Sequence, residues 1–448
     1  MEADFSQFDH LVDIFGNMPF IKRYMALVLA FSLPASQSQE SVVSDLEASL
    51  RRLTAAIPWL AGKVIYEGRD DTHTGTRKIV RNEGKIPLIV KDLSSEGVPS
   101  IEDLARTGFP LSMLQAEVLV PPIALTWHSD GYDKLAPVLL LQANFVQGGM
   151  LLTIAGNHST MDMTGLGIVI EHLAKACRNE ALTDDEVRQA NADRREIVAL
   201  LEKDYQPGNE LDDSLIVPNA PAISLEPAEW VSFSLSGSGS SALKTAAAEQ
   251  SVAPYVSTDD AISALFWQRT CVARSNIHPD AFPATSLLAR TVSARPYLGI
   301  DSYLGHMVDC VYSRLEITKM SLGDLAGRLR LLLNKDKIIR HLRAYLTVLD
   351  RMEDKSLIIS GAQLNLNWDF VVSSYGNLKT SRLDFGASMG GYTLAVRVPG
   401  GMPAAPGCSI ILPADRNGDI SVALCGTEKE IAALKEDDVL GKYAAYVG

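Results

Sequence analysis

Cysteine is scarce in this chain, and the spacing of the few cysteines excludes two common uses. The five lie far apart, without a C-x-x-C pair or a ligand spacing with histidine: Cys177, Cys271, Cys310, Cys408 and Cys425. A disulfide framework uses an even set of cysteines, and a structural zinc site uses closely spaced cysteine and histidine ligands. We therefore expect five reduced thiols in the core and no metal site.

Positive charge is also in short supply. The 448 residues include 41 lysines and arginines against 54 aspartates and glutamates, which gives a net charge of −13. Nucleic acids and anionic membranes are polyanions, so a protein that binds them needs a basic surface. The sequence shows no basic patch, and we predict neither partner. A small anionic ligand would require a local group of lysines and arginines that acts against the average field.

Long apolar runs are missing as well. No stretch of about 18 apolar residues occurs, so the sequence predicts no transmembrane helix. Residues 1–10 are acidic where a secretory signal would be basic and then apolar. We expect a cytoplasmic protein.

Residues 236–241 (SGSGSS) lack the G-x-G-x-x-G order of a dinucleotide site and are interpreted as a flexible turn.

The length and the apolar content predict a folded protein of two domains. Apolar residues make up 47% of the chain and charged residues 21%, which is typical of globular proteins. A chain of 448 residues is too long for one ordinary core. Residues 206–230 are rich in proline and show little periodicity, as in a crossover between domains. We predict an N-terminal domain of residues 1–205, a linker of residues 206–230 and a C-terminal domain of residues 231–448, with mixed α/β structure.

A strand, a loop and a helix are predicted around His158. Residues 138–145 and 150–155 are strongly apolar and flank a short glycine-containing connection, which is the pattern of a β-hairpin. An apolar pattern with helical spacing follows from about residue 162 to residue 176. His158 therefore comes just after the second strand, where side chains commonly point into a crevice.

The second half contains two predicted helix starts. A strand at 230–235 leads into the turn at 236–241 and then into a helix from about Ala242, which places Lys244 near a helix start. Ser257 and Thr258 begin another helix, since a serine three residues before Asp260 is the pattern of a capping box.

Residues 158–165 have the form H-x-x-x-D-x-x-G, with His158, Asp162 and Gly165 at the defined positions. Because the chain has eight histidines, an aspartate four places after one of them is a frequent coincidence, and the motif gains its weight from its place at a strand end. A neutral imidazole there could act as a general base towards a hydroxyl group, which contributes roughly 10²–10⁴ in rate. A packed histidine is the alternative that these residues leave open.

Five segments resemble motifs of the BAHD acyltransferases of plants and fungi, in the same order and over nearly the whole chain. They are residues 57–62 (IPWLAG), 158–165 (HSTMDMTG), 257–267 (STDDAISALFW), 292–295 (VSAR) and 384–386 (DFG). Within that family, residues 161–163, 256–260, 294–296 and 442–448 are similar to those of fungal trichothecene 3-O-acetyltransferases. The resemblance suggests a fungal origin.

The resemblance implies roles for the residues of the motif. His158 would be the general base. Asp162 would point away from the reacting atoms and form a salt bridge with Arg295 that holds the loop. That role makes physical sense, because a buried carboxylate near His158 would otherwise lack a counter-charge.

The resemblance also implies a donor site and a structural segment. The phosphates of coenzyme A would contact Lys244, Ser257 and Thr258, and helix starts and basic side chains do favour anions. Structural roles are implied for Gly165, Asp384, Phe385 and Gly386. The family has W-G after that last glycine, whereas this chain has A-S, which puts the shape of the channel in doubt.

The implied fold is a pair of chloramphenicol acetyltransferase-like α/β domains with the active site in a channel at their interface. The implied reaction is transfer from acetyl-CoA, or another acyl-CoA, to a hydroxyl of a lipophilic fungal secondary metabolite such as a trichothecene-like terpenoid. It would run in a ternary complex, in a monomer without a permanently bound cofactor. Two alternatives remain: a catalytically silent binder of small ligands with the same fold, and N-acyl transfer or condensation-type chemistry.

Overall fold

The computed structural model describes residues 10–18, 21–70, 72–82, 84–125, 136–211, 225–358, 361, 363–403 and 405–448. Over these ranges the chain is mixed α/β, as predicted. The helices are α1 Gln39–Ala56, α2 Ile101–Thr107, α3 Ala116–Leu119, α4 Pro122–Leu125, α5 Met163–Cys177, α6 Asp184–Ala190, α7 Gly237–Glu249, α8 Thr258–Ile277, α9 Arg295–Leu298, α10 Leu322–Leu332, α11 Lys335–Arg351, α12 Glu428–Lys435 and α13 Asp438–Gly441. The strands are β1 His10–Leu11, β2 Tyr24–Ser32, β3 Lys63–Glu67, β4 Thr76–Val80, β5 Leu88–Asp92, β6 Ala136–Pro137, β7 Leu139–Val146, β8 Gly149–Asn157, β9 Glu229–Leu235, β10 Ser286–Ser293, β11 Val308–Leu315, β12 Phe370–Ser374, β13 Ala395–Arg397, β14 Cys408–Ile411, β15 Ile420–Gly426 and β16 Ala445–Tyr446.

The predicted hairpin at 138–155 is confirmed and forms the centre of one sheet. Strands β7 and β8 pair antiparallel around a two-residue turn, in which Gly148 has a φ of +77°, a conformation that favours glycine. Every residue of both strands is buried, because neighbouring strands and helices cover this sheet on both faces. Strand β8 ends at Asn157, so His158 is the first residue beyond it.

Three sheets organise the chain. The hairpin belongs to a five-stranded sheet of order β13-β2-β8-β7-β5, and a four-stranded sheet of order β1-β4-β3-β6 also lies in the first half. The second half builds a seven-stranded sheet of order β11-β10-β12-β14-β15-β9-β16. In this sheet β12 runs parallel to both β10 and β14.

One strand crosses between the two halves of the chain. Strand β13 comes from the second half but pairs antiparallel with β2, with Ala395 opposite Ala30 and Arg397 opposite Val28. Because a strand at a sheet edge needs a partner for its backbone groups, this pairing ties the C-terminal half to the N-terminal sheet. The first half and the second half are therefore joined by backbone hydrogen bonds as well as by packing.

Helix α1 is amphipathic. It begins at Gln39, and its stripe of Leu46, Leu50 and Leu53 is buried. The start follows from the Ser38 hydroxyl, which accepts a hydrogen bond from the backbone N–H of Ser41 and caps the helix at 3.2 Å.

The interpretation of residues 236–241 as a flexible turn was wrong, because these residues form the cap and first turns of α7. The Ser236 hydroxyl accepts a hydrogen bond from the Gly239 N–H at 3.0 Å, which is a helix cap. Gly239 permits close packing, since a Cβ there would lie 2.9 Å from the Tyr443 carbonyl oxygen. Lys244 consequently stands in the third turn of α7 and not at a helix start, contrary to the prediction.

The basic segment at 322–339 contains two helices, α10 and α11, and the Asn334 side chain caps the second by accepting from the Lys337 N–H at 3.0 Å. Of the predicted linker 206–230, residues 212–224 lie outside the described residues, and the division into 1–205 and 231–448 stays a prediction.

All five cysteines are unpaired thiols, which confirms the prediction of reduced cysteines. Cys271 and Cys425 are buried, which confirms the predicted core placement for these two, whereas the other three are half-buried. Burial raises the pKa of the Cys310 thiol to about 12, so this thiol is neutral at physiological pH. Within the described ranges, no helix is long and apolar enough to cross a membrane.

Candidate active site

A cavity of about 1350 Å³ lies between the two halves of the chain. It is lined from the first half by β2 and the start of α5, and from the second half by β10, β12 and the start of α8. Pockets for one small ligand usually measure about 300–1,000 Å³, so this cavity has room for two. Six of the predicted site residues line it: His158, Asp162, Lys244, Ser257, Thr258 and Arg295.

His158 is held by hydrogen bonds on both its backbone and its ring. Its N–H donates to the carbonyl of Arg23, the residue just before β2, at 2.8 Å, and its Nδ1 lies 3.1 Å from the Met161 carbonyl oxygen. A carbonyl oxygen only accepts, so Nδ1 must carry the proton in this contact. The basic nitrogen of the neutral ring is therefore Nε2.

The surroundings keep the His158 ring neutral. Burial lowers its pKa well below the usual value, and the neighbouring His306 and Arg23 lower it further. The hydrogen bond to Met161 and the Asp162 carboxylate oppose this shift without reversing it. The imidazole is consequently unprotonated at physiological pH and can accept a proton.

Asp162 is committed to structural hydrogen bonds. The Arg295 guanidinium donates to both of its carboxylate oxygens, Nη1 to Oδ2 and Nη2 to Oδ1, each at 2.9 Å. The N–H of Gly165 also donates to Oδ1 and that of Met307 to Oδ2, each at 2.8 Å. Asp162 and Arg295 are both 1% exposed. Burial raises the pKa of Asp162, but Arg295, His306 and the hydrogen bonds outweigh this effect, so the net shift is downward and the carboxylate is ionised.

Gly165 has a steric reason to be glycine. A Cβ at this position would lie 2.0 Å from the Leu304 carbonyl oxygen, which real Cβ atoms do not tolerate. The first turn of α5 can therefore pack closely against the segment between α9 and β11, and that segment carries the Met307 amide that binds Asp162.

His306 supports His158 and was missed in the sequence analysis. The two rings are stacked, with centroids 4.9 Å apart and planes 10° apart. The Nε2 of His306 donates to the His158 carbonyl oxygen, and its backbone N–H donates to Asp13 Oδ2 at 3.1 Å. Burial lowers the pKa of His306, although Asp162 and Asp13 act in the opposite direction. Nothing in the local sequence around His306 signals this contact, because its partners are far away in the chain.

A half-buried arginine also holds this loop, and it too was missed. Arg194 donates through Nη1 to Asp13 Oδ2 at 2.7 Å and to the Thr160 carbonyl oxygen at 2.6 Å. The Tyr303 hydroxyl donates to the other oxygen of Asp13. The loop that carries His158 is therefore fixed by groups from the N-terminus, from the segment after α6 and from the segment after α9.

The three predicted donor contacts are arranged differently from one another. Lys244 is exposed at the cavity wall and has no ion-pair partner in the part of the chain that the structure describes. Ser257 caps α8, and its hydroxyl lies 2.8 Å from Asp260 Oδ2, so this side chain already has a structural role. Thr258 is the first residue of α8, where backbone N–H groups favour an anion.

Arginines stand beside this helix start, but acidic residues neutralise them. Arg290 pairs with Asp259 and, at 2.8 Å, with Asp260, while Arg330 pairs with the other oxygen of Asp260. The charges of this cluster cancel locally. The unpaired charge of Lys244 and the α8 N-terminus are thus the features of this wall that favour an anion.

The segment Asp384, Phe385 and Gly386 lies at the opposite end of α5 from His158. Arg178, just after α5, donates to the Asp384 carbonyl, and Phe385 packs edge-on against Phe31 with ring centroids 5.1 Å apart. A helix of 15 residues is about 22 Å long, which separates this segment from the motif.

Among the described residues, none of 384–391 lines the cavity. The altered residues 387 and 388 belong to a short 3-10 turn after Gly386, whose φ of +82° favours glycine. The departure from the family pattern therefore leaves the cavity wall untouched.

Comparisons with known proteins agree with this architecture. Residues 23–177 match the model of the trichothecene 3-O-acetyltransferase-like N-terminal domain. The chain is 36% identical to the O-acetyltransferase dmxR13 of Cryptosporiopsis sp. over 99% of both chains. It is also 36% identical to the trichothecene 3-O-acetyltransferase TRI101 of Fusarium sporotrichioides over 98% of both.

The solved structures of F. graminearum TRI101 are similar over the whole chain. The one complexed with coenzyme A and T-2 mycotoxin has a TM-score of 0.92 at 32% identity and covers 98% of this chain and 100% of that one. The one complexed with coenzyme A and deoxynivalenol has a TM-score of 0.91. The expected fold of two chloramphenicol acetyltransferase-like α/β lobes is confirmed. The chain belongs to the trichothecene 3-O-acetyltransferase-like family and is a coenzyme A-dependent O-acyltransferase.

Proposed function

We propose that this chain transfers the acetyl group of acetyl-CoA to a hydroxyl of a trichothecene-like terpenoid, with His158 as the general base. The observation that carries this proposal is the hydrogen bond from His158 Nδ1 to the Met161 carbonyl, which leaves Nε2 as the basic nitrogen in a two-ligand cavity. The names of the relatives favour the acceptor class, since F. graminearum TRI101 is complexed with T-2 mycotoxin and with deoxynivalenol.

The reaction proceeds in a ternary complex. Nε2 of His158 takes the proton of the acceptor hydroxyl while that oxygen attacks the thioester carbonyl, and a tetrahedral intermediate forms. When the intermediate collapses, the C–S bond breaks and the thiolate of coenzyme A receives the proton from the imidazolium. Because burial lowers the pKa of His158, the imidazolium is a stronger acid than usual and returns the proton readily.

Asp162 and Arg295 act as positioning residues in this proposal. Their paired hydrogen bonds fix the start of α5 and the Met307 amide, and they engage both carboxylate oxygens of Asp162. Lys244, Ser257 and Thr258 line the same cavity at the side where the donor phosphates would lie. One chain supplies all of these residues, so the proposed site needs no second subunit, and we propose that the enzyme is a monomer.

A thiol-release assay with acetyl-CoA tests the proposal. T-2 toxin, deoxynivalenol and an amine of similar size serve as acceptors, and free thiol is titrated over time. We expect release with an alcohol, its loss in His158→Ala and its retention in His73→Ala, a control at an exposed histidine. Undiminished release in His158→Ala refutes the base assignment. Binding of the alcohols without release identifies a silent binder, and release with the amine alone identifies N-acyl transfer.

A further inference from the structure

A buried arginine connects the cavity wall to the loop after β8. Arg77, on β4, is 1% exposed and donates four side-chain hydrogen bonds. Its Nη2 donates to the Met18 carbonyl oxygen at 3.1 Å, and its Nη1 donates both to the Gly16 carbonyl oxygen and, at 3.0 Å, to the Ser159 hydroxyl. Its Nε donates to the Tyr66 hydroxyl at 2.7 Å. One guanidinium therefore holds separate segments of the chain together.

All four acceptors of Arg77 are neutral. An arginine side chain stays protonated in proteins, so this group is a buried cation. Within the described ranges, no carboxylate forms an ion pair with it. Burying a charge without a counter-charge is costly, and stability alone gives little reason for such a group. What Arg77 provides in return is a fixed geometry, because its planar fork directs each N–H to a particular acceptor.

The segment of residues 12–18 has little regular structure of its own to hold it in place. Its regular part is a 3-10 turn of three residues, Phe15–Asn17. The backbone of Arg77 adds to the contacts of the side chain: the Val12 N–H donates to the Arg77 carbonyl at 3.2 Å, and the Arg77 N–H donates to Asn17 Oδ1 at 2.8 Å. Arg77 thus contacts this segment at both of its ends and in its middle.

The same segment forms an apolar part of the cavity wall. Phe15 and Met18 line the cavity, and both pack against Tyr345 of α11. The rings of Phe15 and Tyr345 have centroids 5.5 Å apart, and the Tyr345 hydroxyl lies 3.0 Å from the Met18 sulfur. Gly16 rests on the loop after β8, since a Cβ there would lie 2.2 Å from the Ser159 carbonyl oxygen. A shift of the segment would therefore change the shape of the cavity beside that loop.

The predicted donor contacts lie on a different part of the wall. Lys244, Ser257 and Thr258 belong to α7 and the start of α8, in the second half of the chain. Arg77 and its four acceptors all belong to the first half. Apolar walls are typical of sites for lipophilic ligands, whereas the phosphates of a donor need positive charge. Loss of Arg77 should therefore affect the acceptor more than the donor.

We propose that Arg77 is a positioning residue for the acceptor: it holds residues 15–18 against the loop after β8 and so sets the shape of the apolar wall that the acceptor contacts. Arg77 itself does not line the cavity, so it acts through Phe15 and Met18. This inference rests on the proposed function, because it assigns the lipophilic acceptor to this wall.

Calorimetric binding of deoxynivalenol and of acetyl-CoA to the full chain tests the inference. The test variants are Arg77→Met, which removes the guanidinium, and Arg77→Lys, which keeps the charge but not the fork. Asn17→Ala is a milder variant that removes only the acceptor of the Arg77 N–H, and it replaces Arg77→Met if that variant fails to fold. The control is Lys78→Met, because Lys78 is the next residue of β4, points to the opposite face of the sheet and pairs with Glu67.

We expect Arg77→Met to weaken deoxynivalenol binding by about 10- to 100-fold, the range of one lost hydrogen bond to a charged group. The reason is that the acceptor binds only the fraction of molecules in which the segment is in place. Asn17→Ala should weaken binding by roughly three- to tenfold, and Arg77→Lys should recover part of the loss seen in Arg77→Met. Acetyl-CoA binding in every variant, and both ligands in the control, should change by less than about threefold.

Two further measurements separate this role from a general loss of structure. In the active chain, KM for deoxynivalenol should rise in Arg77→Met while kcat changes little, because Asp162, Arg295 and His306 still hold the base. By hydrogen exchange, amides in the peptide that spans residues 12–18 should lose protection in Arg77→Met, and deoxynivalenol should restore it where acetyl-CoA does not.

Equal weakening of deoxynivalenol and acetyl-CoA binding would show a general structural role and overturn the inference. Unchanged deoxynivalenol binding in Arg77→Met, or in Asn17→Ala if Arg77→Met does not fold, would overturn it as well. A fall in kcat with an unchanged KM would place the action of Arg77 on the base and not on the wall. Absence of deoxynivalenol binding by the unaltered chain contradicts the ligand class assigned to this wall. Failure of the proposed function appears separately, as binding without thiol release in the unaltered chain, and the binding comparison then still decides the role of Arg77.

Discussion

Breaking the Asp162–Arg295 pair should increase local opening of the loop that carries His158, and activity should fall as a consequence of this opening. In Asp162→Ala, the guanidinium of Arg295 stays buried without its counter-charge, and the amides of Gly165 and Met307 lose their acceptor. Removing one member of a buried pair costs roughly 3–5 kcal/mol. Asp162→Asn should cost less, because the remaining carbonyl oxygen still accepts from some of these donors.

Hydrogen exchange is the suitable assay, since a two-lobed chain of this size need not unfold in a single step. Amides in the peptide that spans residues 158–166 should lose protection by roughly two to four orders of magnitude in Asp162→Ala. Thiol release should fall in parallel. Peptides of α10, which packs against α7 and α8, serve as the internal control.

A double variant sharpens this test. Asp162→Leu combined with Arg295→Met replaces the pair with apolar side chains and should lose less protection than the two single losses added together, because neither charge is stranded. Strictly additive losses would contradict the coupling between the two residues. Full protection in Asp162→Ala together with lost turnover would place Asp162 in the chemistry and refute the positioning role.

Three further predictions concern the loop, the base and the donor. Gly165→Ala should lower the melting temperature and the rate of thiol release, because the new Cβ would lie 2.0 Å from the Leu304 carbonyl oxygen. The control Gly441→Ala should change neither, because no atom lies within 4 Å of its Cβ position, and equal effects of the two variants would refute the steric reason. The acid limb of kcat/KM should lie well below pH 6.5, because burial lowers the pKa of His158, and an acid limb at or above pH 6.5 would contradict this assignment. The neutral ring contributes to stability fully above the pKa of the unfolded state, and this contribution is lost as the pH falls through the folded-state pKa. Lys244→Ala should raise KM for acetyl-CoA about three- to tenfold with kcat unchanged, because one exposed phosphate contact is worth roughly 1 kcal/mol. Lys244→Arg should restore the KM, and an unchanged KM in Lys244→Ala would exclude the contact.

Local patterns in the sequence were enough to predict the hairpin that precedes His158 and the helix that begins after Ser257. The apolar run at 139–157 and its glycine turn specify a buried hairpin, so the position of His158 after a strand could be predicted. The cap that Ser257 forms with Asp260 is a four-residue pattern, and the structure has it. These features depend on periodicity and on neighbouring residues, which a sequence displays directly.

Where a local pattern fits both a turn and a helix start, the sequence-based prediction was wrong. The serines and glycines at 236–241 are typical of a turn, but Ser236 caps α7 and Gly239 packs against the Tyr443 carbonyl some two hundred residues away. Only the tertiary structure could decide between turn and helix here, because the decisive contact lies with the C-terminal segment.

The support of the base belongs wholly to the tertiary structure. His306, Asp13 and Arg194 meet around the loop of His158 from three distant parts of the chain, and Arg77 joins a strand to residues 15–18 in the same way. Strand β13 likewise completes a sheet of the other half. The sequence by itself determined which residue types stand at a strand end, whereas packing decided which distant groups surround them, because those contacts have no fixed spacing along the chain.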